Sequence, residues 1–159
     1  MPIFDHNFVV NEPLEKVAAF HRLPSILKQL TPFPIIVQVR RFDPLAEGSI
    51  ADFTLWFGPL PIHWIAVHTG VDYQRGFVDT QQSGPLKSWV HTHTFVIEGD
   101  NATKVYDHIE YEHHSGLKGL LTRLLFPKVG LLGLFTYRKM VTRWGSRDIE
   151  VESGILSDS

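Results

Sequence analysis

Residues 77–112, FVDTQQSGPLKSWVHTHTFVIEGDNATKVYDHIEYE, contain three runs of β-branched and aromatic residues separated by two short polar turns. Runs of this composition favour strands, and turns of about three residues join antiparallel neighbours. The turns are Ser83-Gly84-Pro85 and Gly99-Asp100-Asn101. The segment therefore predicts three consecutive strands of an antiparallel meander: Phe77 to Gln82, Ser88 to Glu98, and Thr103 to His113.

The second turn also predicts which residues lie opposite one another. The expected pairs are Phe95 with Val105, His93 with Asp107, His91 with Ile109, and Trp89 with Tyr111. Alternate residues of a strand share one face, so His91, His93 and Asp107 are predicted to face inward among aromatic side chains. The first hairpin adds three residues to this inner face: Phe77, Asp79 and Gln81. Imidazoles and carboxylates on an aromatic surface are costly to bury unless they are paired.

The chain before this segment predicts further strands after a helical opening. Ile3 to Val10 is expected to form the first strand, followed by a helix from Pro13 to Arg22 with Asn11 as its N-cap. A second short helix begins after Pro24-Ser25 and is stopped by Thr31-Pro32. Three more strands are predicted before residue 77: Ile35 to Phe42, Ile50 to Phe57, and Ile62 to Val71.

The last third of the chain has the spacing of a helix. Leu117 to Trp144 is apolar and helical in pattern, and Pro127 is expected to kink or break it. The stripe predicted to face the core consists of Leu134, Tyr137, Met140, Val141 and Trp144. Charges at Lys118, Arg123 and Lys128 interrupt the apolar stretch, so no transmembrane segment is predicted.

These elements predict an α+β fold in one domain, residues 1–145, followed by a polar C-terminal tail at residues 146–159. The most economical packing is a curved antiparallel sheet of about seven strands wrapped around the long C-terminal helix, with two short helices after strand 1. One helix cannot fill a sheet of that size, so a cavity is expected between the two.

Composition excludes several classes of protein. The 159 residues carry a formal net charge of −2, which argues against a general nucleic-acid binder. There are no cysteines, so disulfide frameworks and Cys nucleophiles are excluded. Asp5 and His6 interrupt any apolar run that could act as a signal peptide, and a cytoplasmic location is expected. Nine His, four Trp and eleven Phe indicate a roomy interior lined by aromatic residues.

Three interpretations of the inward-facing His and Asp residues stay open. The first is a satisfied polar network that fixes strand register and pocket shape. The second is direct recognition of a polar group on an otherwise apolar ligand. The third is catalysis, in which Asp79 or Asp107 orients a histidine while His91 or His93 acts as general base.

The His91-x-His93 spacing also suits a metal, because it places two imidazoles on one face of a strand. Together with Gly84 and Glu98 it comes close to the first sequence motif of cupins. However, the spacing after Gly84 is one residue too long, Glu98 falls on the opposite face, and no second motif follows. The sequence therefore predicts neither a metal site nor a cofactor.

Other polar residues show no constellation. Arg138 is expected to face solvent, with pairing to a buried carboxylate such as Asp79 as the alternative. His113 and His114 are expected at a solvated strand end. Four histidines have no predicted partner: His6, His21, His63 and His108. The sequence contains no glycine-rich phosphate loop, no Gly-x-Ser-x-Gly elbow and no His-Glu-x-x-His motif.

Several short motifs spread from Phe8 to Val141 carry a family resemblance. They are Pro61-x-x-Trp64, His68, Phe77-x-Asp79-x-Gln81-x-x-Gly84-Pro85, Trp89-x-His91-x-His93-x-Phe95, Asp107-x-x-x-Tyr111 and Phe135-x-Tyr137-Arg138. The chain resembles the START-like, or SRPBCC, superfamily with its helix-grip fold. Within it, the chain is most similar to the bacterial cyclase/dehydrase-like proteins, a subgroup that covers polyketide cyclases and lipid transport.

The resemblance implies binding or transport of a small hydrophobic molecule, lipid-like or polycyclic, between the sheet and the C-terminal helix. The alternative is a polyketide cyclase or dehydratase that uses pocket residues as general acid and base, with the candidates His91, His93, Asp79 and Asp107. No nucleic-acid partner is expected, a transient membrane contact is compatible with the pattern, and the oligomeric state is not predicted. The predicted ligand pocket consists of Trp64, His68, Phe77, Asp79, Trp89, His91, His93, Phe95, Asp107, Tyr111, Leu134 and Tyr137.

A buried ligand needs a gate, and the weakest part of the long helix is Leu125 to Gly130, followed by Gly133. A proline in a helix interior costs about 3 kcal/mol and a glycine about 1 kcal/mol relative to alanine. The alternative is a helix kinked simply to follow the curved sheet. Five apolar residues upstream exceed what one helix face needs and could touch a membrane or a partner: Leu120, Leu121, Leu124, Leu125 and Phe126.

Overall fold

The computed structural model describes residues 2–151 of the chain. Its strands are β1 (Ile3–Val10), β2 (Ile36–Phe42), β3 (Ile50–Phe57), β4 (Leu60–Asp72), β5 (Gly76–Ser83), β6 (Ser88–Ile97) and β7 (Thr103–Glu112). Its helices are α1 (Leu14–His21), α2 (Ile26–Gln29), α3 (Gly116–Leu125) and α4 (Lys128–Gly145), and a 3₁₀ turn follows at Ser146–Asp148.

The seven strands form one antiparallel sheet in the order β1-β7-β6-β5-β4-β3-β2. β2 to β7 follow one another as a meander, while β1 pairs with β7. α1 and α2 connect β1 to the far edge strand β2. Register shifts in β2 and β4 mark bulges, which bend the strands that contain them. The predicted α+β class and the predicted antiparallel sheet of about seven strands are confirmed.

The register of the β6–β7 hairpin is the predicted one. In this pair, Trp89 lies opposite Tyr111, and His93 lies opposite Asp107. In the β5–β6 pair, for which only the inner face was predicted, Asp79 lies opposite His91. Turn length and side-chain alternation are local properties, so they specify the β6–β7 register without reference to the helices.

The helices depart from the prediction in two places. α1 begins after Pro13, and Asn11 provides no side-chain cap, since no side-chain hydrogen bond reaches the start of the helix. The long C-terminal helix is two helices, because the chain leaves the helical conformation at Phe126 and Pro127. Pro127 then stands at the N-cap of α4, where a residue without an N–H costs little.

The face of α4 that packs on the sheet is not the predicted stripe. Leu131, Phe135 and Thr142 are its buried residues. Met140 and Trp144 are 55% and 71% exposed, so the prediction that they face the core is wrong. The side chains of α4 that pack on the sheet are instead Leu131 and Phe135, which lie one turn apart. The size of the apolar side chains therefore does not by itself decide which face of a helix is buried.

The helical segment Gly116–Asp148 is long enough to cross a membrane, and it contains an 18-residue window with a mean hydropathy of 1.3, which is apolar enough to do so. Lys118, Arg123 and Lys128 therefore do not break it up to the extent expected from the sequence. Its α4 part nevertheless contributes Leu131 and Phe135 to the core of the domain. Core helices of other proteins meet the same criterion, so the absence of a transmembrane segment stays a prediction.

Packing continues past the expected domain end at residue 145. Ser146 is fully buried, and Ile149 packs against the cluster of Phe20, Ile26 and Leu30. Residues 152–159 of the predicted polar tail lie outside the described residues. The boundary itself stays a prediction.

Candidate functional site

A cavity of about 300 Å³ lies between the sheet and the α3–α4 segment. The strands contribute six apolar residues to its wall: Val37, Phe53, Leu55, Phe57, Trp64 and Trp89. The helical segment contributes six more residues: Leu125, Phe126, Gly130, Leu131, Gly133 and Leu134. Four polar side chains lie on this surface: Thr31, Asp79, His91 and Arg138. The cavity is therefore mainly apolar with a few polar groups on one wall.

Five of the residues predicted for the pocket line this cavity: Trp64, Asp79, Trp89, His91 and Leu134. The other seven do not line it: His68, Phe77, His93, Phe95, Asp107, Tyr111 and Tyr137. Phe77 and Phe95 belong to a separate apolar cluster under α1. His68 faces Ser49, with Nδ1 3.0 Å from the hydroxyl oxygen. Of these seven residues, all except Tyr137, which lies on α4, are on the inner face of the sheet, as alternation predicts. Alternation does not predict which part of that face the helices leave open.

Tyr137 and Arg138 attach α4 to α2. The hydroxyl of Tyr137 donates to the carbonyl of Gln29 at 3.2 Å, and Nε of Arg138 donates to the carbonyl of Leu30 at 3.3 Å. Tyr137 is therefore a structural contact beside the cavity. Arg138 reaches the cavity, so its expected exposure to solvent is wrong.

The polar centre of the site is built from three strand residues. Nε2 of His91 lies 2.9 Å from Oδ1 of Asp107, and both side chains are buried. A carboxylate only accepts hydrogen bonds, so this nitrogen carries the proton and Nδ1 of His91 keeps its lone pair. Nδ1 of His93 lies 3.2 Å from the same oxygen, but it makes no hydrogen bond there. The imidazole rings of His91 and His93 are 3.7 Å apart between centroids.

Burial sets the charge of these groups. Burial, helped by the neighbouring His91, lowers the pKa of His93 to about 4 against the opposing effect of Asp107. Burial also lowers the pKa of His91, although its hydrogen bond to Asp107 opposes this. Burial raises the pKa of Asp107, but the neighbouring imidazoles outweigh it and hold that pKa below its ordinary range. At neutral pH the centre is thus an ionised carboxylate with two neutral imidazoles.

Two charged groups complete this wall of the cavity. Asp79 lies opposite His91 across the β5–β6 pair, and its Oδ1 is buried without a hydrogen bond. Arg138 lies with its guanidinium 5.0 Å from the ring of Phe135. Burial lowers the pKa of Arg138, and the carboxyl groups of Asp107 and Asp79 oppose this, so the guanidinium keeps its charge.

His21 belongs to this centre, although no partner was predicted for it from the sequence. It is buried on α1, its Nδ1 lies 2.8 Å from the carbonyl of Val17, and its ring is 6.1 Å from that of His93. Burial, helped by the neighbouring His93, lowers the pKa of His21 to about 4. The helical spacing Val17, Ala18, His21 was the available signal, since it places His21 on the buried face.

Other polar predictions also need correction. Nδ1 of His113 lies 2.9 Å from Oγ1 of Thr122 on α3, so this strand end is not fully solvated. His63 pairs with Asp52 at 2.7 Å on the surface. Leu27 on α2 also lines the cavity and was not predicted to do so. Three further cavity residues lie in the segment after α2 and were not predicted either, because irregular segments have no periodicity to reveal their inner side: Thr31, Pro32 and Ile35.

Solved structures share this architecture. The aromatase/cyclase Zhui from Streptomyces sp. R1128 is 9% identical, with a TM-score of 0.72 over 92% of this chain and 93% of that chain. The chain has the helix-grip fold. Protein CV1439 from Chromobacterium violaceum is 12% identical, with a TM-score of 0.72 over 91% of this chain and 96% of that chain. The START-like resemblance predicted from the sequence is thus confirmed at the level of the fold.

A third similar helix-grip structure is norcoclaurine synthase from Thalictrum flavum in complex with dopamine and hydroxybenzaldehyde. It is 16% identical, with a TM-score of 0.66 over 94% of this chain and 89% of that chain. No family model and no curated protein sequence matches the chain. Since a helix-grip fold at such identities says little about chemistry, function has to be argued from the site.

Proposed function

We propose that the chain binds a small hydrophobic molecule in the cavity between the sheet and the α3–α4 segment and carries it. The observation that supports this most is the cavity itself, whose volume of about 300 Å³ lies at the lower end of ligand sites. Fifteen apolar or glycine residues line it against four polar side chains. Such a surface favours a ligand with an apolar body and one or two oxygen-bearing groups.

The polar wall supplies the selectivity of this proposal. Arg138 offers N–H donors, whereas Asp79 offers an acceptor that no side chain of the described protein satisfies. A ligand hydroxyl can donate to Asp79, and a ligand carbonyl can accept from Arg138. A purely aliphatic ligand would leave Oδ1 of Asp79 buried without a partner, which costs about 1–3 kcal/mol, and would offer no acceptor to the N–H groups of Arg138 other than the Nε that binds Leu30.

Native mass spectrometry of the purified protein, before and after extraction with organic solvent, tests the proposal directly. We expect a co-purified mass that extraction removes. Binding of 1-anilinonaphthalene-8-sulfonate to the extracted protein gives a second readout. Leu134→Trp fills the cavity and should weaken dye binding at least tenfold, whereas Leu132→Trp lies on the exposed side of the same helix and should not. The proposal would be refuted if the purified protein carries no extractable mass and Leu134→Trp leaves dye binding unchanged.

A second function is favoured by one observation, the hydrogen bond between His91 and Asp107 beside the cavity. A carboxylate that orients a neutral imidazole is the arrangement of a general base. In a cyclase or dehydratase, His91 would take a proton from a bound polyketide-like substrate and return it to the leaving oxygen. His91→Ala should then abolish turnover and leave ligand affinity nearly intact. If it mainly lowers the melting temperature, the pair is a structural network.

We further propose that the protein delivers the ligand at a membrane. α3 exposes apolar side chains beside the cavity wall: Leu117, Leu120, Leu121 and Leu124. Residues 113–147 contain seven of the 15 Lys and Arg of the chain and none of its 17 Asp and Glu. An apolar helix face in a basic segment fits the surface of a bilayer that contains anionic lipid.

Vesicle co-sedimentation tests this contact. The protein should bind vesicles of phosphatidylcholine mixed with phosphatidylglycerol and bind pure phosphatidylcholine vesicles less. Leu124→Glu should abolish binding, while Ile97→Glu, which alters an exposed apolar residue on β6, should not. Equal binding by both variants would exclude α3 as the contact. The cytoplasmic location stays a prediction.

The gap between α3 and α4 is the proposed gate. Leu125 and Phe126 end α3, and they line the cavity together with Gly130. Hydrogen exchange of residues 117–135 should be fast in the extracted protein and slower when the cavity is filled. If exchange is uniformly slow and binding of the dye does not change it, the gap is a kink in the helical segment and not a gate.

A further inference from the structure

Three side chains on β5 and β6 form a group of the kind that binds metals. One potential ligand atom each from Asp79, His91 and His93 lies within 4.8 Å of the other two. The strand register explains this, because Asp79 lies opposite His91 and His93 follows two residues later on the same face. A transition-metal ion bonded at about 2.0–2.2 Å needs ligand atoms somewhat closer together, which small side-chain rotations provide.

Two of these side chains have buried atoms that lack a partner. Oδ1 of Asp79 and Nδ1 of His93 are buried and form no hydrogen bond. The side chain of His93 is 9% exposed, and its nearest carboxylate oxygen, on Asp107, is bonded to His91 instead. Buried polar atoms almost always have a partner, so these two call for one that the protein chain does not supply.

The third side chain is already oriented for a metal. His91 donates its Nε2–H to Asp107, which fixes the ring and leaves the lone pair of Nδ1 free. A carboxylate that holds the distal nitrogen of a metal-bound imidazole is the usual outer partner in such sites. Asp107 therefore acts as a positioning residue here.

The cavity leaves room for further ligands. Asp79 and His91 both line it, so water or an oxygen of a bound molecule can reach an ion held between them. Arg138 lies on the same wall and bears a positive charge, but two carboxyl groups, those of Asp79 and Asp107, face it. Two imidazoles and one carboxylate form a ligand set of intermediate softness that suits Zn²⁺, Fe²⁺ or Co²⁺ better than Mg²⁺ or Ca²⁺.

We propose that Asp79, His91 and His93 bind one divalent transition-metal ion, of which Zn²⁺ is representative, at the wall of the cavity. The site lies on rigid central strands, and its three ligands come from the pattern Asp79 followed by His91-x-His93. The proposal does not depend on the hydrophobic ligand, because the ion is held by protein atoms. Such an ion would also give the cavity a strong anchor for a ligand oxygen.

Calorimetric titration of the chelator-treated protein with Zn²⁺ tests the site. We expect one ion per chain, and visible absorption of low-coordinate Co²⁺ when that ion is used as the probe. Asp79→Asn and His93→Gln should abolish stoichiometric binding, and Asp107→Asn should weaken it about 10- to 100-fold. The surface pair offers the matched control, since His63→Gln removes an imidazole that also faces a carboxylate, on Asp52, and should change nothing.

Failure of a variant to fold does not weaken the test. Addition of Zn²⁺ to the wild-type protein should shift the imidazole NMR resonances of His91 and His93 and leave those of His63 in place. Absence of stoichiometric binding, or binding that persists in Asp79→Asn and His93→Gln, overturns the proposal. Dye binding by the metal-free protein is measured separately, so loss of the metal site and loss of the cavity function are distinguished.

Discussion

The inner face of the sheet has a filled end and an open end. At the filled end, residues from β1, α1 and the β5–β7 strands pack into one apolar cluster: Phe8, Val10, Val17, Ala18, Phe77, Phe95 and Val105. At the open end, the α3–α4 segment covers the sheet and leaves the cavity of about 300 Å³. The two ends share one sheet and one kind of strand sequence, so the difference comes from the helices that cover them.

The covering elements differ in what they place over the sheet. α1 inserts Val17 and Ala18 among the strand side chains. The open end is covered by a segment with Gly130 and Gly133, and a Cβ atom at Gly133 would meet nothing within 4 Å. The buried His and Asp residues lie where the two ends meet, since His91 lines the cavity while His93 stacks on Phe77 with ring centroids 4.4 Å apart. The cavity thus lies under the part of the cover that contains the two glycines, and its wall is polar where the filled end begins.

The largest expected contrast is between truncations at the two ends. Phe95→Ala removes a ring that is 4% exposed in the filled end and should cost about 3–5 kcal/mol of unfolding free energy. Leu134→Ala removes a side chain that already borders a void. Beyond the transfer free energy of the removed atoms, we therefore expect a further loss of unfolding free energy of about 1 kcal/mol or less. Urea denaturation of both variants measures the difference, and equal losses would mean that the cavity collapses in solution.

Gly145→Ala probes the filled side at the end of α4. A Cβ atom there would collide with the ring of Phe20, which is fully buried. Overpacking of this kind should cost about 1–3 kcal/mol. Thermal unfolding by calorimetry checks the prediction, and an unchanged melting temperature would show that the contact between α1 and α4 is looser than the structure has it.

Acid should weaken the filled end through His21. Its pKa of about 4 lies below the ordinary value of 6.5, so the unfolded chain binds more protons between these two values. The contribution to stability is therefore present above pH 6.5 and is lost as pH falls through this range, by about 2 kcal/mol from pH 7 to pH 5. Urea midpoints at a series of pH values measure this loss in the metal-free protein. His21→Gln should make the curve shallower, and the remaining slope should come from His93, whose pKa is also about 4.

The smallest expected effect is a gain at the open end. Gly133→Ala meets no neighbouring atom and replaces the poorest helix former after proline, so stability should rise by up to about 1 kcal/mol. Calorimetry gives the value, with Gly145→Ala as the opposite case on the same helix. A loss at Gly133 would indicate that the segment has to bend at this residue.

Much of the site was predictable because it depends on short-range rules. The position of His91 against Ile109 and of His93 against Asp107 follows from turn length and alternation, and the structure has both pairs. The contact of His21 with His93 depends on how α1 lies across the sheet, more than 70 residues away along the chain. Periodicity placed His21 on the buried face of its helix, but it could not say which strand that face would meet.

The sequence by itself determined the order of the elements, the meander, the register of the β6–β7 hairpin and the inward direction of Asp79, His91, His93 and Asp107. These follow from turn chemistry and from the twofold alternation of a strand, which act between near neighbours. Only the tertiary structure decided that α4 buries Leu131 and Phe135 rather than Met140 and Trp144, and that Arg138 reaches the cavity. The rotation of a helix on a sheet, and the space left beneath it, depend on the sum of many distant contacts that no local pattern encodes.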